Sequence, residues 1–449
     1  MYLFSRTFVL VAVIVFASGC TPSNEINSVV RAGNSSPGQA LVAADGDWPW
    51  WRGPNHNGVA ESQSVPHHWD ENKNILWKVP IPGRGHASPI VVEDRIFLTT
   101  ADDAEETMSL LCLDRASGKT LWEKTIHAGR FMHTHKKNSH ASATPAWDGR
   151  FVFVVFMVDN GIFVTALDKD GTIQWKKKAG PFDSKHGYGS SPVLYRSMII
   201  INGDNQGSGF LAAMDRETGE MVWRIDRTDN SSFCTPVIAQ IDGVDQLLLS
   251  GHNEVSSYNP ANGHLRWKSR GPAATTANTM GWHQGVVFAS GGWPEQNLMA
   301  VRADGSGDIV WEKGIKAYVP SPLVINDRLI VTQDANIVRC YDPQTGKELW
   351  TERLGRRGYS ASPTAVGDIV YLPDETGNVH VFRAGDKFEA IASNKLPGDG
   401  MASPVICDSR IYLRTSSHLY CIAEAEIMGA SIFGDADPQN QGSGPSRSQ

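Results

Sequence analysis

Apolar runs of four to eight residues recur along the chain, each bounded by Gly, Pro, Asn and Asp, a pattern that predicts short strands joined by tight turns. The runs are ordered into a repeating unit that ends in a turn followed by Trp. The ending appears as LDRASGKTLW (Leu113–Trp122), LDKDGTIQW (Leu167–Trp175), MDRETGEMVW (Met214–Trp223) and YNPANGHLRW (Tyr258–Trp267). It continues as RADGSGDIVW (Arg302–Trp311) and YDPQTGKELW (Tyr341–Trp350), and FRAGDKFEAI (Phe382–Ile391) is a degenerate copy with Ile for Trp. Successive Trp residues are 53, 48, 44, 44 and 39 positions apart. A Ser/Thr-Pro pair opens each unit: Ser88-Pro89, Thr144-Pro145, Ser191-Pro192, Thr235-Pro236, Ser321-Pro322, Ser362-Pro363 and Ser403-Pro404, with Asn278-Thr279 in the slot that lacks proline. Each unit reads as four strands, in the sixth Ser321–Ile325, Arg328–Gln333, Ile337–Tyr341 and Glu348–Glu352.

Four strands per ~40–45 residues is the signature of a propeller blade. A lone four-stranded sheet exposes two faces, and a ring of such sheets covers both without leaving an end. Eight openings are matched by seven endings. The last unit supplies strands near Ser403–Ile406, Arg410–Arg414 and His418–Ile422, and its outer strand is missing. Asn74-Ile75-Leu76-Trp77-Lys78-Val79 is a turn-end strand without a unit of its own. The sequence therefore predicts an all-β, eight-bladed β-propeller over residues 74–428, closed by pairing of this N-terminal strand with the last blade, which also removes an aggregation-prone edge.

Outside the repeat the composition changes. Arg6 precedes the apolar run Phe8 to Phe16 and then Ala17-Ser18-Gly19-Cys20, too short to span a bilayer and suited to a secretory signal over residues 1–19. Small residues before a Cys resemble the lipobox of bacterial lipoproteins, with Ala17 where Leu is usual, and imply lipidation at Cys20. Thr21 in place of Asp implies, by the same resemblance, an outer-membrane location facing the periplasm. Residues 20–46 read as a tether, 47–73 as a Trp-rich extension and 429–449 as a disordered tail.

Of the 449 residues 41% are hydrophobic and 20% charged, with 43 Gly and 24 Pro, which fits a packed, turn-rich protein. The net charge of −7 with no basic block argues against nucleic acid as a partner. Beyond Cys20 lie Cys112, Cys234, Cys340, Cys407 and Cys421, an odd number without metal spacing. They read as small buried hydrophobes, with a single disulfide left open.

Leu113-Asp114 through Gly118-Lys119 and Trp122, and Tyr341-Asp342 through Gly346-Lys347 and Trp350, resemble the tryptophan-docking repeat of the pyrroloquinoline quinone (PQQ) propeller superfamily. That resemblance implies a blade-docking role for Trp77, Trp122, Trp175, Trp223, Trp267, Trp311 and Trp350. The superfamily has a dehydrogenase branch that holds PQQ and calcium, and a BamB-like lipoprotein branch of scaffolds without cofactor. Size and lipobox place the chain nearer the second. It has neither adjacent cysteines nor a C-x-x-C-H haem site, and Asp204-Asn205 reads as a hairpin turn rather than a calcium ligand pair. The resemblance thus implies a cell-envelope scaffold with protein partners, non-catalytic, anchored to the membrane through lipid and without cofactor. A PQQ- or metal-dependent oxidoreductase is the alternative, and a carbohydrate- or polymer-binding module a second one.

Chemistry-bearing residues collect before the unit openings. The longest inter-unit loop, HAGRFMHTHKKNSH, holds His127, His133, His135 and His140, of which His133, His135 and His140 form a candidate metal set opposed by Lys136 and Lys137. His86, His140, His186, Tyr188, Phe233, Tyr318, Tyr359 and Met401 are expected around the mouth of the axial channel as ligand- or peptide-binding candidates. Trp48, Trp50 and Trp51, in the run Asp47 to Pro54, are expected to clamp the incoming chain to the ring, with a partner-docking hook as the other reading.

Overall fold

A computed structural model describes residues 29–30 (backbone only), 41–227 and 232–424. Every regular element among them is a strand. They form eight sheets of four principal strands each, arranged in a ring: an eight-bladed β-propeller. Blades 1 to 7 span residues 90–128, 146–181, 193–226, 237–270, 281–313, 323–353 and 364–395, each a meander running outward from the channel. The sixth blade consists of Leu323–Ile325, Arg328–Gln333, Ile337–Tyr341 and Glu348–Arg353, within two residues of the sequence reading.

Blade 8 takes three strands from the C-terminal part, Val405–Cys407, Arg410–Arg414 and His418–Ile422. Its outermost strand is Ile75–Pro80, antiparallel to His418–Ile422 with Trp77 opposite Cys421. The ring closes as expected, and the two ends of the propeller share one sheet.

Burial follows position within a blade. The second strand of blade 2, Phe151–Val158, is buried at all eight positions, because neighbouring blades cover both faces. Its outermost strand, Ile173–Pro181, is mostly polar and exposed. The Trp and Gly of the repeat ending explain each other across the seam. The indole N–H groups of Trp122, Trp175, Trp223, Trp311 and Trp350 each donate to a turn carbonyl of the next blade at 2.9–3.2 Å. The turn glycine lies flat on the preceding indole: a Cβ on Gly219 would stand 2.6 Å from Trp175, and one on Gly118 2.6 Å from Trp77. These glycines also have φ near +70°, where a side chain is strained. Trp267 departs from the pattern, since its N–H donates within its own blade to Gln246 Oε1 at 2.8 Å.

All five described cysteines are buried free thiols. Cys20, the signal segment 1–19 and the tail 429–449 lie outside the described residues. Of the expected tether, Leu41 and Ala43 already pack against a hydrophobic cluster of blades 2 and 3, so the packed extension starts earlier than residue 47.

Candidate functional site: the axial funnel

The Ser/Thr-Pro pairs build the wall of the channel. Proline has no N–H, and each innermost strand begins at the residue after it, as at Ile90, Val193 and Leu323. In blade 5 Met280 takes the proline slot and the strand starts at Gly281. The hydroxyls link blade to blade. The amides of Ser88, Thr144 and Ser191 donate to the side chains of Thr144, Ser191 and Thr235 at 2.9–3.2 Å. Those of Thr279, Ser321 and Ser362 donate to Ser321, Ser362 and Ser403 at 2.9–3.0 Å. Ser88 Oγ donates to the Ser403 carbonyl at 2.9 Å, joining blade 1 to blade 8. A hydroxyl belt therefore surrounds the axis.

One end of this channel is filled by the N-terminal extension. Trp48 pairs with Val91 of blade 1, and the Pro49 carbonyl accepts the Trp147 N–H of blade 2. Trp51 Nε1 donates to the Thr279 hydroxyl of blade 5 at 2.8 Å, and Arg52 donates to the Pro322 carbonyl of blade 6 at 2.9 Å. Val59–Ala60 adds a parallel strand to the inside of blade 7. The chain then leaves toward the rim, where Asn394 donates to the His67 carbonyl. Left-handed backbone at Arg52 and Gly53 makes the turn, which lays Gly53 against the Trp48 ring. Trp48, Trp50 and Arg52 are buried and clamp the incoming chain to the ring, whereas Trp51 is half-buried.

The other end, where the innermost strands start, opens as a blind cup of about 530 Å³ floored by Trp51. Of the rim candidates, His86, His186, Phe233, Tyr318, Tyr359 and Met401 line it. Two do not. Tyr188 is buried behind the wall, its hydroxyl donating to the Asn202 carbonyl at 3.0 Å. His140 turns away, with ring nitrogens 3.1 Å from Asp103 Oδ1 and 2.8 Å from the Met132 carbonyl.

The candidate metal set does not converge. His135 enters the cup and stands 5.7 Å, ring to ring, from His186, while His140 is held as above. No group of three or more His, Cys, Asp or Glu with metal-holding geometry occurs among the described residues. His127 is not in the loop at all. It is the penultimate residue of the outermost strand of blade 1, wedged against Phe156 and Phe163, and burial pushes its pKa down to about 4.

Several cup residues were missed from sequence: Trp51 as a floor, Lys137, Asp334 and Glu375. Lys137 Nζ reaches both Glu375 oxygens at 2.9 Å, tying the long loop to blade 7. Ser360 donates to the same carboxylate at 2.7 Å. Asp334 pairs with Lys316 at 3.3 Å and accepts the Tyr318 N–H at 3.2 Å. His86 is pushed down to about 4 by burial, with Arg84 and Arg414 adding to the effect, and burial also lowers His186. The lining histidines with resolved shifts are thus less readily protonated than free imidazole. Asp204 lies elsewhere, fully buried between Arg227 Nε at 2.6 Å and His252 Nε2 at 3.0 Å. Asn205 donates to the Gly203 and Ser208 carbonyls, so this segment is a turn whose side chains serve the fold.

A family model described as outer membrane protein assembly factor BamB matches residues 59–125, 106–352 and 334–427. The chain belongs to the BamB family. It is 25% identical to the outer membrane protein assembly factor BamB of Burkholderia pseudomallei (strain K96243) over 396 residues, 80% of this chain and 91% of that protein. The crystal structure of BamB from Moraxella catarrhalis superposes with a TM-score of 0.58 at 14% identity, covering 78% of this chain and 99% of that one. Quinoprotein relatives are present too. Subunit 1 of the cytochrome c methanol dehydrogenase of Methylorubrum extorquens is 24% identical over 148 residues, 29% of this chain and 24% of that protein. A europium-containing methanol dehydrogenase gives a TM-score of 0.59 at 11% identity, covering 84% and 98% of the two chains, a likeness of fold.

The residues of the cup fit PQQ and calcium poorly. A quinone with several carboxylates needs cations, and the cup offers Lys137, already held by Glu375, beside a second carboxylate at Asp334. A calcium ion needs six to eight oxygens, and the described residues gather no such acidic set there.

Proposed function

We propose that this BamB-family chain is an extracytoplasmic, lipid-anchored scaffold of the cell envelope that binds protein partners and catalyses no reaction. Lipidation at Cys20 holds it at the outer membrane, facing the periplasm. The observation that carries this reading is the treatment of the axial channel. The place where a propeller enzyme assembles its chemistry is braced here by the chain's own Trp48 to Ala60, and its hydroxyls accept backbone N–H groups of the neighbouring blade and the Trp51 indole N–H. A rigid ring that presents loops on two faces suits recognition by shape or by strand addition.

The test has two arms. Wild type and Cys20→Ser are expressed in the native host, and envelopes are cross-linked before purification. The expected result is loss of membrane association for Cys20→Ser, together with recovery of the same envelope proteins in repeated wild-type purifications. Oxidation of alcohols or sugars by the purified protein supplied with PQQ and calcium would overturn the scaffold reading.

A further inference from the structure

Three observations at the open end of the channel point to one kind of ligand. The first is aromatic surface left uncovered. Trp51, Phe233 and Tyr318 line the cup while only half-buried. On the same face of the ring is Trp293, 66% exposed and the one aromatic among the exposed large hydrophobic side chains of the described residues. Trp293 sits in the turn between the second and third strands of blade 5, which returns to the cup's face of the ring. Its neighbour Gly292 packs so closely on Tyr318 that a Cβ there would lie 2.5 Å from Tyr318 Cβ. Trp293 is thus an exposed indole on the cup's face of the ring, one residue along the chain from the backbone that packs on Tyr318.

The second observation is charge. Each carboxylate of the cup has a lysine: Glu375 with Lys137 at 2.9 Å and Asp334 with Lys316 at 3.3 Å. These charges cancel while leaving oxygens able to accept hydrogen bonds. His86 lines the cup, and burial pushes its pKa down to about 4, so its ring brings no positive charge there near pH 7. The third is volume. About 530 Å³ lies inside the range of roughly 300–1,000 Å³ typical of small-ligand sites.

Aromatic faces next to neutralised polar groups match a molecule with apolar C–H faces and many hydroxyls. A phosphate or polycarboxylate would meet two carboxylates, and the one lysine among the described lining residues is already held by Glu375. We propose that the cup binds a neutral glycan chain, with sugar rings stacked on Tyr318 and Trp293 and hydroxyls bonded to Asp334 and Glu375. This rests on the scaffold reading in that the bound sugar is held and not converted.

The test titrates the full-length lipoprotein in detergent with cellohexaose, maltohexaose and chitohexaose by calorimetry. At least one should bind with a dissociation constant in the millimolar range or tighter. Tyr318→Ala should weaken it by about tenfold or more, and Trp293→Ala by about threefold to tenfold. Because Trp293 is exposed, its variant should melt with the wild type, so a loss of binding there is not a loss of fold. No binding of any of the three sugars at millimolar concentration overturns the proposal, as does binding untouched by both substitutions. If an envelope protein captured by wild type is lost with Trp293→Ala while the sugars do not bind, the scaffold reading stands and the glycan falls. If a bound sugar is oxidised on addition of PQQ and calcium, the scaffold reading falls instead.

Discussion

The two ends of the axial channel are lined by the same eight innermost strands and are treated in opposite ways. At the filled end, aromatic rings and a guanidinium are buried and tied to backbone. Arg52 meets no carboxylate among the described residues; it donates to the carbonyls of Asn57 and Pro322, and burial alone pushes its pKa down to about 9. At the open end aromatic rings are left half-covered: the Trp51 floor, Phe233 and Tyr318. The two faces of the ring already differ, because all the innermost strands start at one of them. The non-repeating segment gives the ring a closed side that contributes stability and an open side that is available for binding.

That division is tested most severely by removing one ring from each end. Trp48→Ala should cost about 3–5 kcal/mol in chemical denaturation, as for other buried large-to-small changes. Trp293→Ala should stay within about 0.5 kcal/mol of wild type. Equal costs would remove the distinction. Next in size come the seams between blades, which belong to neither end. Gly243→Ala meets only backbone strain, with φ +75° and nothing within 4 Å, and should cost about 1 kcal/mol. Gly219→Ala adds a collision 2.6 Å from Trp175 and should cost about 1–3 kcal/mol more. A smaller difference would mean that the indole can move aside.

Acid should then act on the buried imidazoles. His127 is held near pKa 4 in the fold against 6.5 for the free group, so the unfolded chain takes up the proton first. Its contribution is complete above pH 6.5 and is lost as the pH falls through 4. Stability measured between these limits should decline, and His127→Phe should flatten the decline by on the order of 1–2 kcal/mol. An unchanged slope would show that His127 is already solvated.

The ring was legible because each of its parts is repeated. The four strands of the sixth blade lie within two residues of their sequence reading, and Trp77 announced a strand without a sheet. The filled end was not legible. Trp48, Trp50 and Trp51 stood out as aromatic, but Val59 pairs with Ala365, and two residues have no period from which such a partner could be read. Side-chain direction in loops was equally hidden. His140 and Tyr188 precede Ser/Thr-Pro pairs just as His86 does, yet both turn into the protein for local hydrogen bonds. His127 was read as loop because its run, Thr120–Ala128, outlasts the Trp that ends the other units.

Lys137 gives the smallest expected effect and the sharpest use of the comparison. From sequence it weighed only against a cation; in the fold it reaches Glu375, far along the chain, at the edge of the open cup. Its side chain is 57% exposed, so the pair should contribute no more than about 1 kcal/mol, and Lys137→Ala should barely move the melting temperature. Its removal still leaves Glu375 held only by Ser360, with one carboxylate charge in the cup no longer cancelled. A neutral ligand should respond little, whereas an anion should bind more weakly in proportion to its charge, most strongly at low salt. Measuring Lys137→Ala against wild type at two ionic strengths therefore reports the charge of whatever the open end holds. A large, salt-dependent loss would contradict a neutral occupant even if the fold of both ends were untouched.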